Sequence, residues 1–160
     1  MSLSGKYDLI LPNRAQVMSV ATNLRKADHE EVTATHGEGT DVAARVYESW
    51  LVSRDTVRVG TANGEPFCVF GVYRKSLIAG SATPWLVGTP ELEKHYRRFA
   101  RVSRAVVGYW QQAFPHLENY VDARNTTSIR WLQWLGFQLY YPEPFGEMGL
   151  PFHRFELTRD

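Results

Sequence analysis

Apolar and polar positions follow two different periods along this chain. In its first third, apolar residues recur at helical spacing, which predicts helices over residues 14–25 and 41–52, with a short helix between them that Asp28 caps. From residue 56 onward, most segments alternate with period two or are continuously apolar, as in strands, and two of them meet at the hairpin signal Asn63-Gly64. The predicted strands cover residues 7–11, 56–61, 66–73, 84–87, 119–123, 137–141 and 152–157.

Two further helices are predicted among these strands. The longer one opens at Thr89-Pro90, where a proline suits the first helical position, and ends before Pro115. The other starts at the capping residue Asn125 and stops at Gly136. Because helices alternate with strands and one pair of strands forms a hairpin, we expect a single α/β domain over residues 1–160. Its mixed central sheet would have about six or seven strands, with helices on both faces.

The amino-acid composition argues against several classes of protein. The 160 residues carry 18 basic and 17 acidic side chains, so the net charge of +1 argues against a dedicated nucleic-acid binder. Cys68 is the single cysteine, which excludes an intrachain disulfide and metal motifs with paired cysteines, and no metal site is expected. No segment has the apolar length of a membrane span, and the first residues lack the apolar core of a signal peptide. We therefore expect a protein of a cytoplasm-like compartment with no membrane partner.

The segment NTTSIRWLQWLGF, residues 125–137, resembles the GNAT superfamily of N-acetyltransferases. Members commonly carry an asparagine, a small residue three positions later and a Leu-Gly-Phe ending, which here are Asn125, Ser128 and residues 135–137. Together with this segment, PWLVGT (residues 84–89) and PFGEMGLPFHRFEL (residues 144–157) resemble a bacteriophage group of GNAT-like proteins. That group is related to an internal virion protein of short-tailed coliphages. The resemblance spans most of the chain.

The resemblance implies an acetyl-CoA site and transfer of an acetyl group to an amine acceptor. In this superfamily, acetyl-CoA lies between two splayed parallel strands, which here would be residues 84–89 and 119–123. The residues implied in cofactor binding are Leu86, Val87, Gly88 and Thr89, chiefly through their backbone, together with Asn125 and Ser128.

The sequence departs from the family where the cofactor's pyrophosphate is expected. In the family it rests on a glycine-rich turn that opens the long helix, since free N–H groups at a helix start bind anions. This chain has one glycine there, Gly88, followed by Pro90, which lacks an N–H. Glu91 and Glu93 add negative charge at the same place, which Lys94, Arg97 and Arg98 could offset if they reach back. The phosphate-binding turn is therefore not matched, and the segment is either an ordinary capped helix or a modified phosphate site.

The acid and base of the implied reaction are also displaced. Many family members place a tyrosine seven residues after the asparagine to protonate the leaving thiolate, but that position is Leu132 here. Tyr140 and Tyr141 lie just beyond it and are predicted as substitutes. Asp122 with Arg124, at the end of a strand bordering the cleft, is the best polar pair for catalysis, and a structural ion pair is the equal alternative. The candidate general bases are Glu65, His95, His116 and Glu118.

Two functions therefore stay open. One is an acetyl-CoA-dependent N-acetyltransferase whose partners are an acyl-CoA and an amine. The other is a GNAT-like protein that has lost its cofactor and acts by contact with a phage or host protein, in the host cytoplasm or the virion. An open cleft lined by backbone N–H groups would favour the enzyme. A cleft filled by Trp85, Trp131 or Trp134 would favour the second function. The oligomeric state is not predicted.

Overall fold

A computed structural model describes residues 2–4, 6–76 and 78–159, and residues 2–4 by their backbone alone. Within these residues, six helices alternate with nine strands. The strands are β1 (Ser2–Ser4), β2 (Tyr7–Ile10), β3 (Arg58–Ala62), β4 (Glu65–Ser76), β5 (Ser81–Gly88), β6 (His116–Asp122), β7 (Gln138–Leu139), β8 (Glu143–Phe145) and β9 (Leu150–Thr158). The helices are α1 (Arg14–Ala21), α2 (Lys26–His36), α3 (Val42–Val52), α4 (Glu91–Lys94), α5 (Tyr96–Ala113) and α6 (Thr126–Trp134).

The strands form one mixed sheet in the order β1-β2-β3-β4-β5-β6-β9-β7, with β8 also paired to β9. Every pair is antiparallel except β5 with β6, which is parallel. The predicted α/β class and mixed sheet are confirmed. The additional strands β1 and β8 have three residues each, too few to give a periodic signal in the sequence.

The period-two strands divide their side chains between two cores, one on each face of the sheet. In β4, Phe70 packs in a cluster with Phe99 and Trp110 of α5. The preceding residue, Val69, points to the opposite face and packs in a second cluster with Val20 of α1 and Trp50 of α3. The sheet therefore separates α1 and α3 from α5, as the alternation of apolar residues requires.

Two helix boundaries differ from the sequence prediction. The helix predicted to run on from Pro90 is broken at His95, whose imidazole forms a 2.8 Å hydrogen bond with the Tyr7 hydroxyl and whose backbone is not helical. The prediction that Asp28 caps the second helix is wrong, because Arg25 is the N-cap and Asp28 lies buried in the first turn of α2. Of the helices in the described ranges, none is long and apolar enough to cross a bilayer.

The proline- and glycine-rich loop before β9 closes onto the end of α2. The N–H groups of Glu147 and Met148 donate to the carbonyls of Thr35 and Ala34, at 3.0 and 3.4 Å. Gly146 has a φ of +76°, and a Cβ there would lie 2.7 Å from the Ala34 carbonyl oxygen. A side chain at position 146 would therefore push the loop away from α2.

We expect Gly146→Ala to lower the free energy of unfolding by about 2–4 kcal/mol, because it adds a backbone clash to an unfavourable φ. Gly149→Ala is the matched control, since Gly149 has a φ of +62° but open space at its Cβ. It should lose about 1–2 kcal/mol through φ alone. Urea denaturation measures both values, and equal losses would show that the contact with α2 carries no stability.

Candidate functional site

The parallel strands β5 and β6 pair only at their starts and then diverge. Ser81 lies opposite His116 and Ala82 opposite Leu117, and no further pair follows between these two strands, both of which are described in full. The Asn119 side-chain amide donates to the Pro84 carbonyl across the gap at 2.8 Å. Because backbone groups alternate between the two edges of a strand, the N–H of Leu86 also faces this gap. Beyond Ala82 and Leu117 the facing edges of the two strands are therefore not paired with each other, and they border a cleft.

A cavity of about 240 Å³ occupies this cleft, and the tryptophans leave it open. The Trp85 indole N–H donates to the Ser53 hydroxyl at 3.1 Å, and that of Trp131 to the Ser103 hydroxyl at 2.9 Å, so both form walls. The Trp134 side chain is 43% exposed and lies under the Arg104 guanidinium. The cleft is thus open rather than filled, the arrangement expected for a ligand site.

A buried ion pair lies beside the open end of the cleft. Arg25 contacts both carboxylate oxygens of Asp28, each at 2.9 Å, and the two residues are only 4% and 2% exposed. The same guanidinium donates to Asn125 at 3.0 Å, to the Ser128 hydroxyl at 2.9 Å and to Glu93 at 3.3 Å. This one side chain therefore joins the starts of α2 and α6 to α4.

The ion pair also holds the turn that follows β5. The Gly88 N–H donates to the Asp28 carboxylate at 2.8 Å, and the Gly88 carbonyl accepts from the Arg25 N–H at 2.9 Å. The Thr89 N–H donates to the Phe67 carbonyl at 3.0 Å. The backbone donors nearest the end of β5 are therefore used within the protein.

This turn does not fit a pyrophosphate. Asp28 places a carboxylate on the Gly88 N–H, where a phosphate would have to bind. Gly88 is required for packing, because a Cβ there would lie 2.5 Å from a methyl carbon of Leu92. The turn therefore does not fit the nucleotide phosphates of acetyl-CoA, the cofactor that the sequence resemblance implies.

Glu31 lies in the wall of the cavity, one turn of α2 beyond Asp28. Its carboxylate accepts from the Asp122 N–H at 2.7 Å and from the Asn125 side chain at 3.4 Å. The residue as a whole is half-buried, and the surrounding protein desolvates its carboxylate. This burial raises the pKa of Glu31 to about 8, and the nearby charge of Asp28 adds to the rise. A carboxyl group with this pKa can act as a general base near pH 8.

The comparisons with known proteins concern the fold. No family model and no curated protein matches the sequence. Solved structures do match over nearly the whole chain. The spermidine N-acetyltransferase of Vibrio cholerae, in complex with CoA and spermine, gives a TM-score of 0.69 at 13% identity, with 96% of each chain covered. A GNAT-family acetyltransferase from Bacillus anthracis gives 0.69 at 11% identity and covers 96% of this chain and 95% of that one.

A putative acetyltransferase of Salmonella typhimurium, solved with acetyl-CoA, matches with a TM-score of 0.64 at 15% identity. It covers 98% of this chain and 95% of its own. This chain has a GNAT fold. The fold that the sequence resemblance implied is thereby confirmed, and at these identities the likeness extends no further than the fold. The proposed bacteriophage relationship stays a prediction.

The residues predicted for cofactor binding divide into two groups within the GNAT fold. Leu86, Val87 and Ser128 line the cavity. Gly88 and Thr89 lie beyond its wall with their N–H groups bonded inside the protein. Asn125 caps α6 and is buried in the network around Arg25.

The predicted catalytic residues lie outside the cavity wall. Asp122 is buried and paired with Arg124 at 2.7 Å. Tyr140 donates to Glu156 near the β7–β9 edge, which raises the pKa of the phenol, and Tyr141 is 95% exposed. Their catalytic roles stay predictions. A different tyrosine, Tyr120, does line the cavity and stacks on Phe145 with ring centroids 3.9 Å apart.

The four bases proposed from the sequence are also absent from the cavity lining. Glu65 is exposed at a hairpin, and His95 is bonded to Tyr7. His116 and Glu118 lie at the closed end of the cleft, where Lys75 bonds Glu118 at 2.6 Å. Glu31 and Arg25 were not among the site residues predicted from the sequence. The available signal was the i, i+3 spacing of Asp28 and Glu31, which places both acids on one face of α2, with Arg25 three positions before Asp28 at the N-cap.

We expect Arg25→Ala to lower the free energy of unfolding by about 3–5 kcal/mol, because it leaves the Asp28 carboxylate buried without its cation. Arg101→Ala, an exposed change on α5, should alter it by about 0.5 kcal/mol or less. Chemical denaturation compares the two. A loss near that of the control would show that Asp28 is buried as the neutral acid.

The raised pKa of Glu31 predicts a pH dependence of stability. Between its unfolded value of 4.5 and its folded value of about 8, the folded state holds more protons, so stability falls as the pH rises. Glu31→Gln should flatten this decline between pH 5 and pH 8 in urea denaturation. Glu38→Gln, at an exposed position, should leave the slope unchanged. A slope that persists in Glu31→Gln would place the titration elsewhere.

Proposed function

We propose that this GNAT-fold protein is an N-acyltransferase, which moves an acyl group such as acetyl from a thioester to an amine. The observation that carries the proposal is the open cleft between β5 and β6, with Glu31 in its wall. The structural neighbours support it, since one of them is solved with CoA and spermine and another with acetyl-CoA.

The arrangement assigns a different task to each side of the cleft. The Leu86 N–H faces the gap and is placed to hold the thioester carbonyl oxygen, on which negative charge develops during attack. Glu31 is placed to take the proton that the amine loses as its nitrogen bonds to the acyl carbon. The carbon–sulfur bond then breaks, and the sulfur leaves as a thiolate that needs a proton.

Tyr120 is the better-placed acid for that last step. It lies in the cavity wall, whereas Tyr140 is engaged by Glu156 and Tyr141 lies in solvent. The acceptor amine would enter beside α2 and α3, where Thr35, His36 and Arg45 line the same cavity.

The test is Glu31→Gln, assayed near pH 8 against a panel of primary amines with acetyl-CoA as donor. We expect kcat/KM to fall by about 10²-fold or more, because the base is removed. Donor binding measured by calorimetry should be unchanged. Glu30→Gln, one residue away and outside the cavity lining, is the matched control. Undiminished turnover in Glu31→Gln would contradict the assignment of the base.

A second candidate rests on the turn after β5. Its occupied N–H groups are also what a GNAT-fold protein that no longer binds the cofactor would show. Under this alternative, the chain acts in a phage virion or during host takeover through contact with a phage or host protein. The absence of any thioester binding and of turnover by the parent protein would favour it.

A further inference from the structure

We propose that the donor is recognised through its acyl-pantetheine arm, and that the nucleotide of CoA contributes little to binding. This inference rests on the proposed acyltransferase function and names the class of donor that the site accepts. A pantetheine thioester without the adenosine diphosphate would then bind about as well as acetyl-CoA.

The turn after β5, at residues 88–92, has no unbonded backbone N–H group for a phosphate. Gly88 donates to Asp28, and Thr89 donates to the Phe67 carbonyl. Pro90 has no N–H. Glu91 donates to the Thr89 hydroxyl at 3.2 Å, and Leu92 to the Thr89 carbonyl at 2.9 Å. Every position from 88 to 92 is accounted for, so a pyrophosphate would have to break existing hydrogen bonds.

The carboxylates around this turn also oppose the binding of a diphosphate. The Asp28 carboxylate lies 2.8 Å from the Gly88 nitrogen and cannot be displaced easily, since Arg25 holds both of its oxygens. Glu91 and Glu93 add two carboxylates on the following helical turn. The closest cation on that turn, Lys94, is paired with Glu91 at 2.9 Å. At this turn the three carboxylates thus outnumber the two cations, Arg25 and Lys94, and both cations are already paired.

The cleft, in contrast, retains a strand edge and apolar walls that suit a pantetheine arm. Pantetheine is a chain of amides and methylene groups with a gem-dimethyl group. Its amides can pair with an unpaired strand edge, as peptides do when they add to a sheet. The edge at Leu86 faces the gap beyond the Pro84 carbonyl, which already accepts from Asn119, and the cavity walls include Val106 and Val107. The pantetheine subsite is thus open, while the turn at residues 88–92 offers no free backbone N–H to a phosphate.

An acyl-pantetheine arm has two natural sources, free acyl-CoA and the phosphopantetheine group of a carrier protein. The decisive comparison is made on the full chain by calorimetry, with S-acetyl-pantetheine, acetyl-CoA and adenosine 3′,5′-diphosphate as probes. An acetylated carrier protein is a fourth probe, and its affinity relative to acetyl-CoA identifies the source.

We expect the dissociation constants of S-acetyl-pantetheine and acetyl-CoA to agree within about fivefold, and adenosine 3′,5′-diphosphate not to compete with either. An affinity for acetyl-CoA about 100-fold higher, or competition by the diphosphate, would overturn the inference and leave the acyltransferase proposal standing. Failure of every thioester probe to bind would overturn both.

A pair of variants tests the charge argument separately. Glu91→Gln with Glu93→Gln should tighten acetyl-CoA binding severalfold and leave S-acetyl-pantetheine binding unchanged, because the pantetheine arm carries no phosphate. Glutamine at position 93 retains an oxygen for Arg25. Glu38→Gln with Glu143→Gln removes two exposed carboxylates elsewhere and should alter neither affinity. Equal gains in both pairs would mean that only net charge matters, which contradicts a closed phosphate subsite.

Discussion

The buried ion pair of Arg25 and Asp28 is the interaction on which the rest of the site depends. Removing two charges from water is unfavourable unless their hydrogen-bonding groups find partners inside the protein. Here the partners come from the end of β5, the start of α6 and α4, at Gly88, Asn125 and Glu93. The need to satisfy the pair therefore fixes where three distant segments meet, and they meet at the open end of the cleft.

The raised pKa of Glu31 follows from the same arrangement. Three carboxylates, those of Asp28, Glu31 and Asp122, crowd this end of the sheet. Arg25 compensates Asp28 and Arg124 compensates Asp122, whereas Glu31 receives hydrogen bonds from a backbone N–H and an amide. The carboxylate that lines the cavity is thus the one left without a cation, and it holds its proton to a higher pH. The same neighbours that destabilise its charged form make it suitable to accept a proton.

Local patterns were sufficient to predict much of the fold. The Asn63-Gly64 hairpin has both residues at positive φ, as its sequence implies, and Asn125 caps α6 through the Ser128 N–H. The splayed strands at residues 84–89 and 119–123 also followed from the resemblance. What could not be predicted depends on contacts between residues far apart in the chain. Arg25 contacts Asn125, which is 100 residues away in the chain. Because the sequence does not reveal this contact, the acids of α2 were interpreted as solvated residues of a first helical turn. The break at His95 likewise depends on Tyr7, 88 residues away.

The two halves of the site have different physical origins. The cleft is a property of the sheet, because β5 and β6 must diverge once their pairing ends at Ala82 and Leu117, and the Asn119 bridge holds them at a fixed separation. The closed turn results from the hydrogen-bond partners that Asp28 and Thr89 provide and from a proline that lacks an N–H. A chain can therefore change the turn without losing the cleft. The absence of the family's glycines from residues 89–92 therefore concerns the phosphate-binding turn and does not by itself argue against acyl transfer.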